Sequence, residues 1–166
     1  MAVTIEKART DTELKELAEL ADMIWHECFV DIISVGQIDY MVEKFQSYSA
    51  MKKQTSEQDY IYYAVRENDE LCGYIGVKPE KDSRFFLSKL YLRSDKRGRG
   101  IASEMLKKVI GLAESCGKKS VYLTVNKHNL HAIEVYKKTG FVIVDEAVTE
   151  IGGGYVMDDY IMEYTL

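Results

Sequence analysis

Proline occurs once in the 166 residues, at Pro79, so no proline-rich linker divides the chain. Cysteine is scarce and odd in number. Cys28, Cys72 and Cys116 lie far apart with no Cys-x-x-Cys pair, which argues against a disulfide framework and leaves reduced, mostly buried thiols as the expectation. There are only three histidines, His26, His128 and His131, and neither His26-Glu27-Cys28 nor His128-x-x-His131 is a metal-binding pattern, so no metal site is expected. No apolar run approaches the roughly 20 residues a membrane span needs. The opening stretch MAVTIEKARTDTELKEL lacks the apolar centre of a secretory signal, so a cytoplasmic protein with no membrane partner is expected. An excess of positive charge is missing too. The formal net charge of −5 removes the electrostatic case for nucleic-acid binding and is compatible with a cationic small molecule.

What is present is a clear alternation of periods. VTIEK (residues 3–7) reads as an opening strand. Thr10 and Glu13 form a capping box, and Leu14, Leu17, Leu20, Ala21, Ile24 and Phe29 recur at helical spacing behind it. A second helix is read over 37–48 from Ile38, Met41, Val42 and Phe45, with the polar residues 49–58 as a helix end and loop. The period then changes to two. Residues 60–68 and 71–79 form a hairpin and 84–92 a third strand. A helix follows from Ile101 to near Gly117, then the strand SVYLTV, a helix capped by Gly140, and a closing hairpin with Gly152, Gly153 and Gly154 at its tip. This order defines a mixed α/β sheet flanked by helices in a single domain over 1–166.

The stretch KRGRGIASEML (96–106) sets two glycines among basic residues at the mouth of a helix. Strand, glycine-rich turn and helix together present unpaired N–H groups at the positive end of the helix dipole, a ready site for phosphate or pyrophosphate. A P-loop is excluded, because no Lys-Ser/Thr follows the second glycine. The dinucleotide fingerprint nearly fits as Gly98-x-Gly100-x-x-Ser103. The next strand, however, ends at Asn126 without the carboxylate that would hold a ribose.

Arg97-x-x-Gly100-x-Ala102 resembles the signature of the GCN5-related N-acetyltransferase (GNAT) family, whose turn cradles the pyrophosphate of acetyl-coenzyme A. A second signature follows at the family's usual distance: Asn129, Ala132, Tyr136, Gly140 and Phe141 match Asn-x-x-Ala-x-x-x-Tyr-x-x-x-Gly-Phe. The resemblance implies a mixed, mainly antiparallel sheet of six to seven strands and an acetyl-coenzyme A-dependent N-acetyltransferase acting on a primary amine, with no metal. IWHECF, QIDYMVEKFQS and GGGYVMDDYIMEY are similar to bacterial polyamine acetyltransferases, which implies a small polycationic acceptor.

The resemblance also implies roles. Arg97, Gly98, Arg99, Gly100, Ile101, Ala102 and Ser103 would hold the pyrophosphate. Leu90, Tyr91 and Leu92 would lie on a strand that diverges from its neighbour and offer backbone groups to the pantetheine arm, with the amide near Leu92 as oxyanion donor. Asn129 would bind the pantetheine, and Tyr136 would be the general acid. The base is open, because Thr124 stands where several relatives carry a glutamate and a threonine cannot take a proton at neutral pH. His26, Glu27, Asp39 and Tyr40 fall in the region that lines the family's acceptor site. Asp158 and Asp159, in the last strand, read as surface charge, with an acceptor-site role open. Two competing functions stay in view: acetylation of a protein N-terminus or lysine, and a non-catalytic acyl-coenzyme A regulator that would not need Tyr136. The last strand's Tyr155, Met157, Tyr160, Met162 and Tyr164 either support a homodimer or pack in the core.

Overall fold

The computed structural model describes residues 2–166. Strand β1 (Val3–Lys7) leads into helix α1 (Asp11–Cys28), whose first turn is closed as the capping box requires: Thr10 Oγ1 accepts from the Glu13 amide at 3.1 Å and donates to Glu13 Oε1 at 3.0 Å. Helix α2 (Val35–Met41) continues through a π turn at Val42–Gln46 to helix α3 (Tyr48–Glu57). The stretch 49–58, expected as a helix end and loop, is thus helical through Glu57, started by Ser47, whose hydroxyl accepts from the Ala50 amide at 3.2 Å. Strands β2 (Ile61–Glu67), β3 (Glu70–Pro79) and β4 (Arg84–Leu92) follow, then a 3₁₀ turn at Ser94–Lys96 and helix α4 (Ile101–Ser115). Strand β5 (Ser120–Asn126), helix α5 (Leu130–Thr139) and strands β6 (Val142–Gly152) and β7 (Tyr155–Thr165) complete the chain.

The seven strands form one sheet in the order β1-β2-β3-β4-β5-β7-β6, antiparallel everywhere except between β4 and β5. Alternation along the strands gives each face its own core. On one face Val121, Leu123, Val125 and Met162 pack under Met105, Leu106 and Val109 of α4 and Ile133 and Tyr136 of α5. On the other, Tyr62, Ala64 and Tyr74 pack under Leu17, Ala21 and Ile24 of α1 and Met51 of α3. A third cluster joins Trp25 and Phe29 at the end of α1 to Ile38, Met41 and Ile151. The aromatic and methionine residues of β7 are absorbed by these cores: Met162, Tyr160 and Tyr164 on one face, Tyr155 and Met157 on the other. Among the described residues no helix is long and apolar enough to cross a membrane.

Two features of β4 shape everything near it. Its pairing with β5 covers only Arg84↔Ser120, Phe85↔Val121 and Phe86↔Tyr122. Immediately afterwards its register with β3 slips, from Val77↔Leu87 to Gly76↔Lys89, so Ser88 is an extra residue. A bulge bends the strand that carries it. The bend begins where β4 and β5 part, and the two strands leave a wedge-shaped gap in the middle of the sheet.

Candidate active site

The gap between β4 and β5 holds a cavity of about 370 Å³. Leu90, Tyr91 and Leu92 form one wall, on the segment of β4 that has lost its β5 partner, and Thr124 and Val125 form the opposite one. Asn129, Ala132, Val135 and Tyr136 of α5 line it from one face of the sheet; Ile24, Cys28 and Phe29 of α1 and Ile32 beyond it line it from the other. The cavity therefore runs through the sheet.

At its mouth lies the glycine-rich turn. Gly98 has φ 76° and Gly100, the residue before α4, has φ 83°; a Cβ at either would meet nothing within 4 Å. Glycine is required there by backbone conformation, not by crowding. Gly100 caps α4 without a side-chain acceptor, so the amides of the first turn, Ile101, Ala102 and Ser103, point outward unpaired. The Ile101 side chain itself is buried in the core, so this residue presents only its backbone to the mouth.

The basic residues of the turn are not equivalent. Glu67, buried at the end of β2, accepts from Arg99 at 2.8 Å and from Lys96 at 3.1 Å. Arg97 forms no ion pair among the described residues; its guanidinium lies at the cavity, 3.0 Å from Cys28 Sγ. Burial outweighs that guanidinium and pushes the Cys28 thiol up.

Tyr136 stands on α5 one turn beyond Ala132, and its ring packs 5.8 Å from that of Phe141. Burial pushes its phenol up to about 12, so it is fully protonated at neutral pH. Asn129 has two engagements: it is the N-cap of α5, accepting from the Ala132 amide at 3.3 Å, and it lines the cavity. Tyr91 turns its ring toward α1, 5.4 Å from Trp25 and 6.2 Å from Phe29, and burial raises its phenol well above the ordinary range.

Of the four residues expected at the acceptor end, the structure joins His26 to Asp39 and engages Glu27 and Tyr40 elsewhere, and none of them is on the cavity wall. His26 clasps α2 to α1: Nε2 is 2.6 Å from Asp39 Oδ1, and Nδ1 lies 2.8 Å from the Asp22 carbonyl. The hydrogen bond to Asp39 raises its pKa. Glu27 accepts from Ser94 Oγ at 2.5 Å, and Tyr40 donates to the Ile151 carbonyl at 2.7 Å. Asp31 and Ile32, in the connection after α1, line the cavity instead, together with Cys28, Phe29, His128 and His131. None of these six was expected as a site residue, although Cys28 and Phe29 fall within IWHECF and His131 within the second signature; α1 periodicity places Phe29 in the core. Burial lowers the pKa of His131, favouring a neutral ring. Among the described residues no group of three or more metal-ligating side chains forms. One thiol departs from expectation: Cys116, just past α4, is exposed.

The acetyltransferase (GNAT) family model matches residues 17–141, three quarters of the chain, including both signatures. The chain belongs to that family and is an acetyl-coenzyme A-dependent N-acetyltransferase. An uncharacterised N-acetyltransferase of Mycobacterium bovis is 27% identical over 91% of this chain and 96% of its own length. A spermine/spermidine N(1)-acetyltransferase of Bacillus subtilis is 36% identical over 43% of this chain and 53% of its own. Among solved structures, the PaiA N-acetyltransferase of Thermoplasma acidophilum in complex with coenzyme A superposes with a TM-score of 0.83 at 22% identity over the full length of both chains. A GCN5-related N-acetyltransferase of Rhodopseudomonas palustris gives 0.82 at 14% identity, covering 100% of this chain and 97% of its own.

Proposed function

We propose that the enzyme acetylates a small polycationic amine, of the polyamine class, in a complex that holds both substrates at once. The observation that carries this reading is the cavity through the sheet. It has one end at an anion-binding helix start and the other under α1, where Asp31 and the aromatic rings of Phe29 and Tyr91 stand. Aromatic faces and a carboxylate favour a cation. Further support comes from the similarity to the spermine/spermidine N(1)-acetyltransferase of Bacillus subtilis and from the acidic charge balance of the chain.

In this reading the amides of Ile101, Ala102 and Ser103 and the Arg97 guanidinium bind the pyrophosphate, with Gly98 and Gly100 permitting close approach. Arg99 holds the turn through Glu67. The unpaired edge of β4 at Leu90, Tyr91 and Leu92 hydrogen-bonds the pantetheine arm and polarises the thioester carbonyl. Asn129 orients the arm, and Tyr136 gives its proton to the departing sulfur. A phenol near pKa 12 is protonated at every physiological pH, as a general acid must be at the start of a turnover.

The test is an acceptor screen that reads thiol release from acetyl-coenzyme A with putrescine, spermidine, spermine, free amino acids and short peptides. Turnover with the polyamines well above the rest is the expected result. Preference for a peptide amine would replace this reading with protein acetylation. Tight cofactor binding with no turnover on any amine would replace it with a regulator.

A further inference from the structure

We propose that Asp159 receives the cationic nitrogen of the acceptor and takes its proton, supplying the base that Thr124 cannot be. The assignment rests on the reading above that the acceptor is an amine.

Asp159 sits in the middle of β7, opposite Asn126 of β5 and Ala147 of β6. Strand alternation puts it on the α1 side of the sheet with Met157, which packs against the Trp25–Phe29 cluster, and with Thr124, which lines the cavity. Its residue is 6% exposed, so the reading of both aspartates as surface charge fails for this one. Among the described residues its carboxylate has no hydrogen bond and no ion pair, and its surroundings act on it only through burial and neighbouring charge. Asp158 is the contrast: it points to the opposite face, where Lys127 lies 3.0 Å away, and that lysine is held at 2.9 Å by Glu146 as well.

A buried carboxylate without a partner costs stability and is kept where something pairs with it in the working state. The cross-strand neighbours of Asp159 on the α1 face are Asn126 and, diagonally, Thr124 of the cavity wall. Tyr91 forms the cavity wall on the β4 side, and its phenol is raised by burial first and then by the charges of Tyr136, Asp159 and Cys28. Asp159 is not itself on the cavity wall; it stands directly behind Thr124, its diagonal neighbour on the same face of the sheet, which is. Burial, then the charge of Asp158, pushes Asp159 up to about 6, with Lys127 opposing. It is ionised at neutral pH, yet closer in proton affinity to an amine than an ordinary carboxylate is. An ammonium partly desolvated beside it loses proton affinity, which narrows the difference further.

The proton balance is simple. Asp159 takes one proton from the ammonium and passes it to solvent, the net proton of the reaction. The freed lone pair forms the C–N bond at the thioester carbonyl, and the C–S bond breaks with its electron pair on sulfur. Sulfur is protonated by Tyr136. The nitrogen's second proton, lost as the amide forms, restores the phenol.

The experiment compares wild type, Asp159→Asn and Asp158→Asn with acetyl-coenzyme A and spermidine, following thiol release between pH 5 and 9 and cofactor affinity by calorimetry. Wild-type kcat/KM should fall below about pH 6. Asp159→Asn should bind acetyl-coenzyme A as wild type does, lose about 100-fold in kcat/KM, and lack the acidic limb. Asp158→Asn should keep the activity and an acidic limb, moved to lower pH because one charge that raises Asp159 is gone. An Asp159→Asn enzyme within about threefold of wild type, or a wild-type profile flat from pH 5 to 7, overturns the assignment while leaving the amine acceptor intact; the second result does so even if the variant fails to fold. A wild-type enzyme that binds acetyl-coenzyme A but acetylates no amine overturns both.

Discussion

Arg97 reaches across the cavity mouth to within 3.0 Å of Cys28 Sγ, while Arg99, two residues on, is held at 2.8 Å by Glu67. One guanidinium is free for an anion and the other is already neutralised. Arg97→Ala should weaken acetyl-coenzyme A binding by about 10- to 100-fold, the worth of a charge-assisted hydrogen bond. Arg99→Ala should cost less than about threefold in affinity, because its charge is compensated before the ligand arrives. Calorimetry at two salt concentrations checks both, and only the Arg97 variant should lose salt sensitivity.

Gly100→Ala must place a Cβ at φ 83°. The left-handed conformation should cost about 1–2 kcal/mol in urea unfolding. Affinity for acetyl-coenzyme A should fall with it, since the same residue aims the first amides of α4. Gly111→Ala, in the interior of α4, should not weaken binding.

Tyr136→Phe removes a hydroxyl that makes no hydrogen bond among the described residues. Folding and cofactor affinity should therefore be nearly unchanged, while kcat falls by about 100-fold. A rate within about threefold of wild type would remove Tyr136 from the chemistry.

Lys89 is the buried residue just after the β4 bulge. Its Nζ donates to the Phe45 carbonyl, Tyr62 Oη and, at 3.0 Å, Gln54 Oε1. Burial pushes it down to about 7 from an unfolded value of 10.5. Between those values the unfolded chain binds a proton that the folded chain does not, so stability should rise with pH across that window and be lost as pH falls toward 7. Urea midpoints at pH 7 and 9.5 should differ in wild type, and Lys89→Met should flatten the difference whatever its absolute stability.

Asp159 works in the other direction. Its folded pKa is raised, so the cost of ionising it is present above about 6 and vanishes below the unfolded value of 3.8. Asp159→Asn should melt at higher temperature than wild type at pH 7.5, with the advantage shrinking as pH falls to 4.

The strands and most helices were legible because their apolar periods are strong, and the two signatures point to the helix start proposed as the anion site. Residues 49–58 were misread for a physical reason. Only Met51 and Gln54 of α3 are buried, and Gln54 earns its burial through Tyr62 and Lys89 on distant strands, so no apolar stripe announces the helix. The parting of β4 from β5 was expected from resemblance alone, because strand pairing across some 35 residues leaves no local trace; the bulge at Ser88 that accompanies it is equally silent. Asp158 and Asp159 looked alike as neighbours in a polar pair. Alternation sends one to Lys127 and the other into the interior, and only the flanking of β7 by β5 and β6 decides which.

In the proposed complex, a sheet that is perforated and not merely grooved gives donor and acceptor separate doors. One enters past α4 and α5, the other beneath α1, and neither must leave before the other arrives. Direct transfer with intersecting, non-parallel double-reciprocal plots follows from that plan, and a covalent acetyl-enzyme has no place in it.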